Sequence, residues 1–313
     1  MNHKIDRRSF IKKSAAIGMS SLIGSNVITR LSSFASENPK IDIAAVKGED
    51  YFNNTIKAID LLGGINNFAS KDSKVGLLVN SPWKNPGTYT DPEIVLAVIK
   101  MCYQAGAKEI ISLENATNGY WNRTELSKKF SEELKGLKSA GKSYIKFEIP
   151  KGKNLKEAHI EKALLECDVF INIPKIKDHA GTKFTGCLKN MMGATAYQPT
   201  NHFIHFGNTG KNWQDGGYKN VEWLSQSISD LALVRTPDLC IADATEIVLT
   251  NGPDGPGKLA KPLYIVAGKN PVTVDAYCTK FVNLTGKEVI LIKNAAEHGL
   301  GEMEISKLKI REI

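Results

Sequence analysis

From Ile41 onward, short apolar runs bounded by turn residues alternate with segments whose apolar residues recur at helical spacing. That alternation is the pattern of a doubly wound α/β fold, a mostly parallel sheet with helices on both faces. The runs 41–46, 75–79, 110–113, 168–173, 239–242 and 263–267 read as strands, and 144–149 as a strand with alternating faces. Helical spacing covers 51–62, 124–138, 155–165, 182–192, 221–234, 272–282 and 288–298. Asp91-Pro92-Glu93 opens a further helix, with proline in its first turn and acid near its positive end, and Gly106 closes it. The loop 250–257 is too rich in Gly and Pro for a regular element.

One strand end carries most of the polar chemistry. Val169, Phe170, Ile171 and Ile173 read as a buried parallel strand, and Pro174 ends it as a central ladder member. The segment 174–205 follows, with Lys175, Lys177, His179, Lys183, Lys189, His202 and His205. In open α/β sheets ligands bind beyond such carboxyl ends. A desolvated Lys189 could be a nucleophile or a fixed cation for phosphate or carboxylate, with a plain surface lysine as the alternative. His179 and His205 could ligate a transition metal or act as general acid or base, but no helix presents two histidines at i and i+4. Lys175, Lys177, Thr185, Asn190 and Asn80 are candidates for holding an anionic ligand, and Lys183 shares that basic loop. Asp243 and Asp275, at later strand ends or helices, are candidate partners for the lysine or a metal, or helix caps.

Other classes drop out on composition and motifs. Cysteines 102, 167, 187, 240 and 278 are at least 20 residues apart with no CxxC, so no iron-sulfur or zinc-ribbon motif is present. Their odd number excludes a fully paired disulfide framework, and they read as buried small hydrophobes. No Walker loop, GxGxxG, HExxH or GxSxG occurs.

Asp6-Arg7-Arg8-Ser9-Phe10-Ile11-Lys12, a mildly apolar stretch and the small residues near Ala35 resemble a twin-arginine export signal. The resemblance implies a signal at 1–35, passage through the twin-arginine export machinery, and a mature chain 36–313 in the periplasm or cell envelope. The stretch is broken by Gly and Ser, so no stable membrane span is expected in the mature form. Removing 1–35 takes away six basic residues and one acidic residue, and the net charge falls from +8 to +3. With no basic stripe left, nucleic acid is not an expected partner.

Gly63-Gly64, Val75-Gly76-Leu77-Leu78-Val79-Asn80, Thr90-Asp91-Pro92, Pro174-Lys175-Ile176-Lys177, His179, Thr185, Leu188-Lys189-Asn190, Asn251-Gly252-Pro253 and Asn270 to Ala276 together resemble the DUF362 family, a domain of unknown function. The order His179, Lys189, His205 after a strand is also similar to the nickel-pincer lactate racemase family. There a lysine holds the cofactor and histidines serve the metal or substrate. Glu114-Asn115 stands where that family places a catalytic histidine. The expectation is an exported enzyme or cofactor carrier whose site at 174–205 takes an anionic ligand and a transition metal. A non-catalytic metal- or anion-binding envelope protein, or a partner subunit of a redox complex, are the alternatives.

Overall fold

The computed structural model describes residues 41–114, 116–211 and 220–313. The expected signal at 1–35 lies outside the described residues. The strands, in chain order, are β1 Ile43–Lys47, β2 Lys74–Val79, β3 Glu109–Ser112, β4 Lys138–Ser139, β5 Tyr144–Glu148, β6 Glu157–Glu161 and β7 Val169–Ile173. They continue with β8 Lys177–His179, β9 Lys183–Thr185, β10 Leu239–Ala244, β11 Ile247–Val248, β12 Leu259–Ala260, β13 Tyr264–Gly268 and β14 Ile310–Glu312.

Eight strands form one sheet in the order β14-β1-β13-β10-β7-β2-β3-β4. β13 runs antiparallel to both neighbours, β1 and β10, and the other pairings are parallel. This is the expected mostly parallel α/β sheet. Successive residues of a strand face opposite sides, and both sides are buried here. Leu77, Val79, Ile171, Ile173 and Ile241 belong to one core, while Leu78, Phe170, Cys240 and Ala242 belong to the other. Helices Tyr51–Leu61 and Pro92–Gln104 cover the first face, and Val221–Leu231, Pro271–Cys278 and Ile290–Glu297 the second. The capping signals read in the sequence operate: Asp91 accepts from the Glu93 amide at 2.9 Å with Pro92 at the helix start.

Three helical expectations are corrected. Residues 157–161 form β6, which pairs with β5 outside the main sheet, so 155–165 is helical only at Lys162–Glu166. Ala158, Ile160 and Glu161 are buried, the first two within a main core, and strand pairing overrides helical spacing. In place of a helix from 182, β9 pairs back onto β8, and only Cys187–Asn190 and a 3-10 turn at Met191–Ala194 are helical. The helix expected over 124–138 is interrupted at Phe130, which packs on Phe52 with ring centroids 5.3 Å apart. All five cysteines are free and buried, in line with their reading as small hydrophobes.

Candidate functional site

A cavity of about 610 Å³ opens beyond the carboxyl ends of β2, β3 and β7. The volume lies within the roughly 300–1,000 Å³ of small-molecule sites. Asn80 enters it directly after β2 and Glu114 shortly after β3. The β8–β9 hairpin contributes Lys177, His179 and Thr185, and the next helix contributes Lys189 and Asn190. The 250–257 loop closes another side with Pro253 and Asp254. It is tied to the hairpin, since the Gly252 amide donates to Asp178 Oδ2 at 3.0 Å and the Gly252 carbonyl accepts from the Ala180 amide at 3.2 Å.

The lysine-bearing helix is seated from below by Asp275. Its two carboxylate oxygens accept from the amides of Cys187 at 2.6 Å and Leu188 at 3.0 Å, which satisfies donors that a helix start leaves unpaired. Burial raises the Asp275 pKa to about 7 in spite of those bonds. Asn190 is anchored as well: its Nδ2 donates to Leu78 O at 3.0 Å and to Asn172 Oδ1 at 2.7 Å. Both donors are spent, so Asn190 presents an oxygen to the cavity.

Among the described residues the two cavity lysines, Lys177 and Lys189, have no ion-pair partner. Among the described residues the polar partner of Lys189 Nζ is the Met192 thioether sulfur, at 3.7 Å. It is partly accessible through the cavity, yet the surrounding protein lowers its pKa to about 8. Lys177 is fully buried, donates to Thr88 O and lies 4.9 Å over the Trp83 ring. Burial holds its pKa well below the usual lysine range, with repulsion from Lys189 and Lys175 adding to the effect. Glu114 keeps its proton to about pH 8 because burial outweighs the attraction of Lys177. Among the described residues the buried Asn80 Oδ1 and Thr185 Oγ1 have no hydrogen-bond partner.

The two histidines are fixed in opposite tautomers. His179 Nδ1 accepts from the amides of Gly181 at 2.9 Å and Thr182 at 3.1 Å, so its ring proton sits on Nε2. His205 Nδ1 is 2.9 Å from the Asn201 carbonyl and must donate to it, which puts the lone pair on Nε2. Burial is the first cause that lowers both pKa values, to about 2 for His179 and about 4 for His205, so both rings are neutral near pH 7.

Residues 74–280, more than half of the chain, match the family model described as a domain of unknown function, DUF362. The chain belongs to the DUF362 family. It is 26% identical over 207 residues to a thylakoid-associated protein of Synechocystis, covering 62% of this chain and 59% of that protein. A lactate racemase apoprotein from Thermoanaerobacterium thermosaccharolyticum superposes with a TM-score of 0.43 at 15% identity, covering 77% of this chain and 57% of that one. This DUF362 chain thus spans under two thirds of the length of either protein.

Of the residues singled out in the sequence, Asn80, Lys177, His179, Thr185, Lys189, Asn190 and His205 line the cavity, and Glu114 lines it with them. Lys175 and Asp243 do not. They form a buried ion pair at 2.8 Å, and Asp243 also accepts from the amides of Asp91 at 2.7 Å and Thr245 at 2.9 Å. Lys175 lines a separate depression with Tyr51, Tyr89 and Asp91. The expected metal set of His179, His205 and Asp243 is therefore not assembled. Among the described residues no group of three or more His, Cys, Asp or Glu could hold a metal ion. His179 also presents N–H rather than a lone pair, so these residues do not fit a bound transition metal. His202 is absent from the cavity lining as well. Trp83, Met192, Tyr197 and Asn201 line it without having been singled out in the sequence, although Pro82-Trp83 directly after a strand mouth was a usable signal.

Proposed function

We propose that the cavity of this DUF362 protein binds a small organic anion and that His205 exchanges a proton with it. Lys177 and the His179 Nε2–H would hold the anionic group, with Lys189 beside it. Glu114, protonated near pH 7, would donate to a second oxygen, and the oxygens of Asn80, Thr185 and Asn190 would accept from the ligand. The observation that carries the reading is the convergence of two lysines lacking ion pairs with one fixed N–H donor on a single cavity. His205 Nε2, with its lone pair, is the group suited to general base work.

Calorimetric titration with inorganic phosphate and a graded series of carboxylates tests the reading. A hydrogen bond to a charged group contributes about 1.5–3 kcal/mol. Lys177→Met and Lys189→Met should therefore each weaken binding by roughly 10- to 100-fold, whereas Lys183→Met, on the exposed edge of the hairpin, should not. No binding by any of these anions, or equal weakening by Lys183→Met, sinks the proposal.

The Arg7-Arg8 pattern supports export by the twin-arginine route, with 36–313 as the mature domain. An intact mass that begins at Ser36 in the exported fraction is the supporting result, and an exported chain that retains 1–35 opposes it.

A further inference from the structure

Lys189 is placed unlike the neighbouring lysines: Lys175 is met by the Asp243 carboxylate and Lys177 by the Thr88 carbonyl. Lys189 Nζ has a thioether for its partner, at 3.7 Å, and a thioether sulfur is a weak acceptor. It shares the cavity with a carboxylic acid, Glu114, and with the imidazole lone pair of His205. An amine without an ion pair among the described residues, sharing its cavity with an acid and a base, is suited to act as a nucleophile. The remaining walls say what the electrophile carries. Lys177 and the His179 N–H suit a carboxylate, and Trp83, Met192 and Tyr197 suit an apolar body.

We propose that Lys189 forms an imine with the carbonyl carbon of a 2-oxo acid bearing an apolar side chain, whose carboxylate is held by Lys177 and His179. This rests on the anion-binding reading above and specifies its ligand. The lone pair of the Lys189 amine attacks the carbonyl carbon while the carbonyl oxygen takes the Glu114 proton. The cationic nitrogen of the adduct passes one proton to His205 Nε2. The hydroxyl then leaves as water, taking that proton back, and the nitrogen lone pair forms the C=N bond. Amine, carbonyl and the Glu114 proton become iminium and water, with His205 regenerated and Glu114 ionised. No oxidant or reductant is consumed.

The test treats the full chain with 4-methyl-2-oxopentanoate and sodium cyanoborohydride, followed by intact and peptide mass spectrometry. The expected product gains the mass of the acid less one oxygen atom, located on Lys189, and Lys189→Met loses it. Mapping the adduct in the unsubstituted protein keeps the test valid if that variant fails to fold. 2-Hydroxy-4-methylpentanoate, which has no carbonyl, should bind in a thermal-shift assay and give no adduct. If neither acid binds, the anion-binding reading fails and the imine with it. If both bind and no adduct forms, or if the adduct lies on another lysine, the imine alone is overturned.

Discussion

Replacing Gly186 with alanine should unseat the helix that carries Lys189. The added Cβ would lie 2.3 Å from Asp275 Oδ1, 2.6 Å from Phe184 Cε1 and 2.8 Å from Asp275 Cγ. Neither neighbour yields cheaply. Phe184 and Asp275 are both fully buried, and Asp275 is fixed by the Cys187 and Leu188 amides. Overpacking of this kind costs ~1–3 kcal/mol, and pushing Asp275 off one of its buried amides adds ~1–3 kcal/mol. For a chain of this size each kcal/mol lowers Tm by about 2–4 °C, so a fall on the order of 10 °C is expected. Gly119→Ala is the control. Its Cβ would meet nothing closer than Thr117 Oγ1 at 3.7 Å, and a change within about 0.5 kcal/mol is expected. Urea unfolding followed by tryptophan fluorescence reads both variants, and Asp275→Ala completes a double-mutant cycle. With Asp275 shortened, the alanine at 186 has lost its main obstacle, so the double variant should be less damaged than the two single effects added. If Gly186→Ala is as stable as Gly119→Ala, or if the cycle is additive, the seating argument is wrong.

Two further outcomes follow from the cavity and one from the Lys175–Asp243 pair. In nitrogen-detected NMR near pH 7, His179 should show a protonated Nε2 and His205 a protonated Nδ1, and a swapped tautomer on either ring contradicts the hydrogen bonding described. Glu114 has its pKa raised from 4.5 to about 8 by burial, so the fold retains a proton that the unfolded chain releases. Its contribution to stability is full below about pH 4.5 and is lost as the pH rises to about 8. Glu114→Gln should flatten that decline, read as the difference in urea midpoint between about pH 5 and pH 8, and an unchanged decline counts against it. Lys175→Met leaves Asp243 as a buried charge without its cation, at a cost of about 3–5 kcal/mol. Lys175→Met with Asp243→Asn should recover most of that loss, and a single variant as stable as the native protein refutes the buried pair.

What the sequence made legible was whatever depends on short stretches of chain. The Val75–Val79 and Val169–Ile173 runs became neighbouring parallel strands because apolar residues on both faces of a strand require cover on both sides. Asp91-Pro92 began a helix because a cap needs only three adjacent residues. The β8–β9 hairpin was not legible. Its pairs are three-residue strands, too short for an alternation of two to stand out from a helical spacing across 182–192. The partners of Asp243 were equally hidden, since 68 residues separate it from Lys175 and 152 from Asp91. The cavity could still be located, because the ends of β2, β3 and β7 converge whatever the loops between them do.

Lys175 and Lys177 show how finely the site depends on where the chain leaves the sheet. Two positions apart on a regular strand, they would share a face. Pairing with β10 outlasts β7 itself: the Pro174 carbonyl accepts from the Asp243 amide, and the Ile176 amide donates to the Asp243 carbonyl, each at 2.9 Å. Lys175 is thus still a sheet residue, beside Asp243 in register, and its charge is neutralised there. At Lys177 the partner changes from β10 to β9, with Lys177 opposite Thr185. That change of partner turns the second lysine into the cavity, where no carboxylate forms an ion pair with it. A proline that merely shortened the strand would leave both lysines at its frayed end. Here the backbone bonds beyond Pro174 assign one lysine to the sheet and the other to the cavity wall.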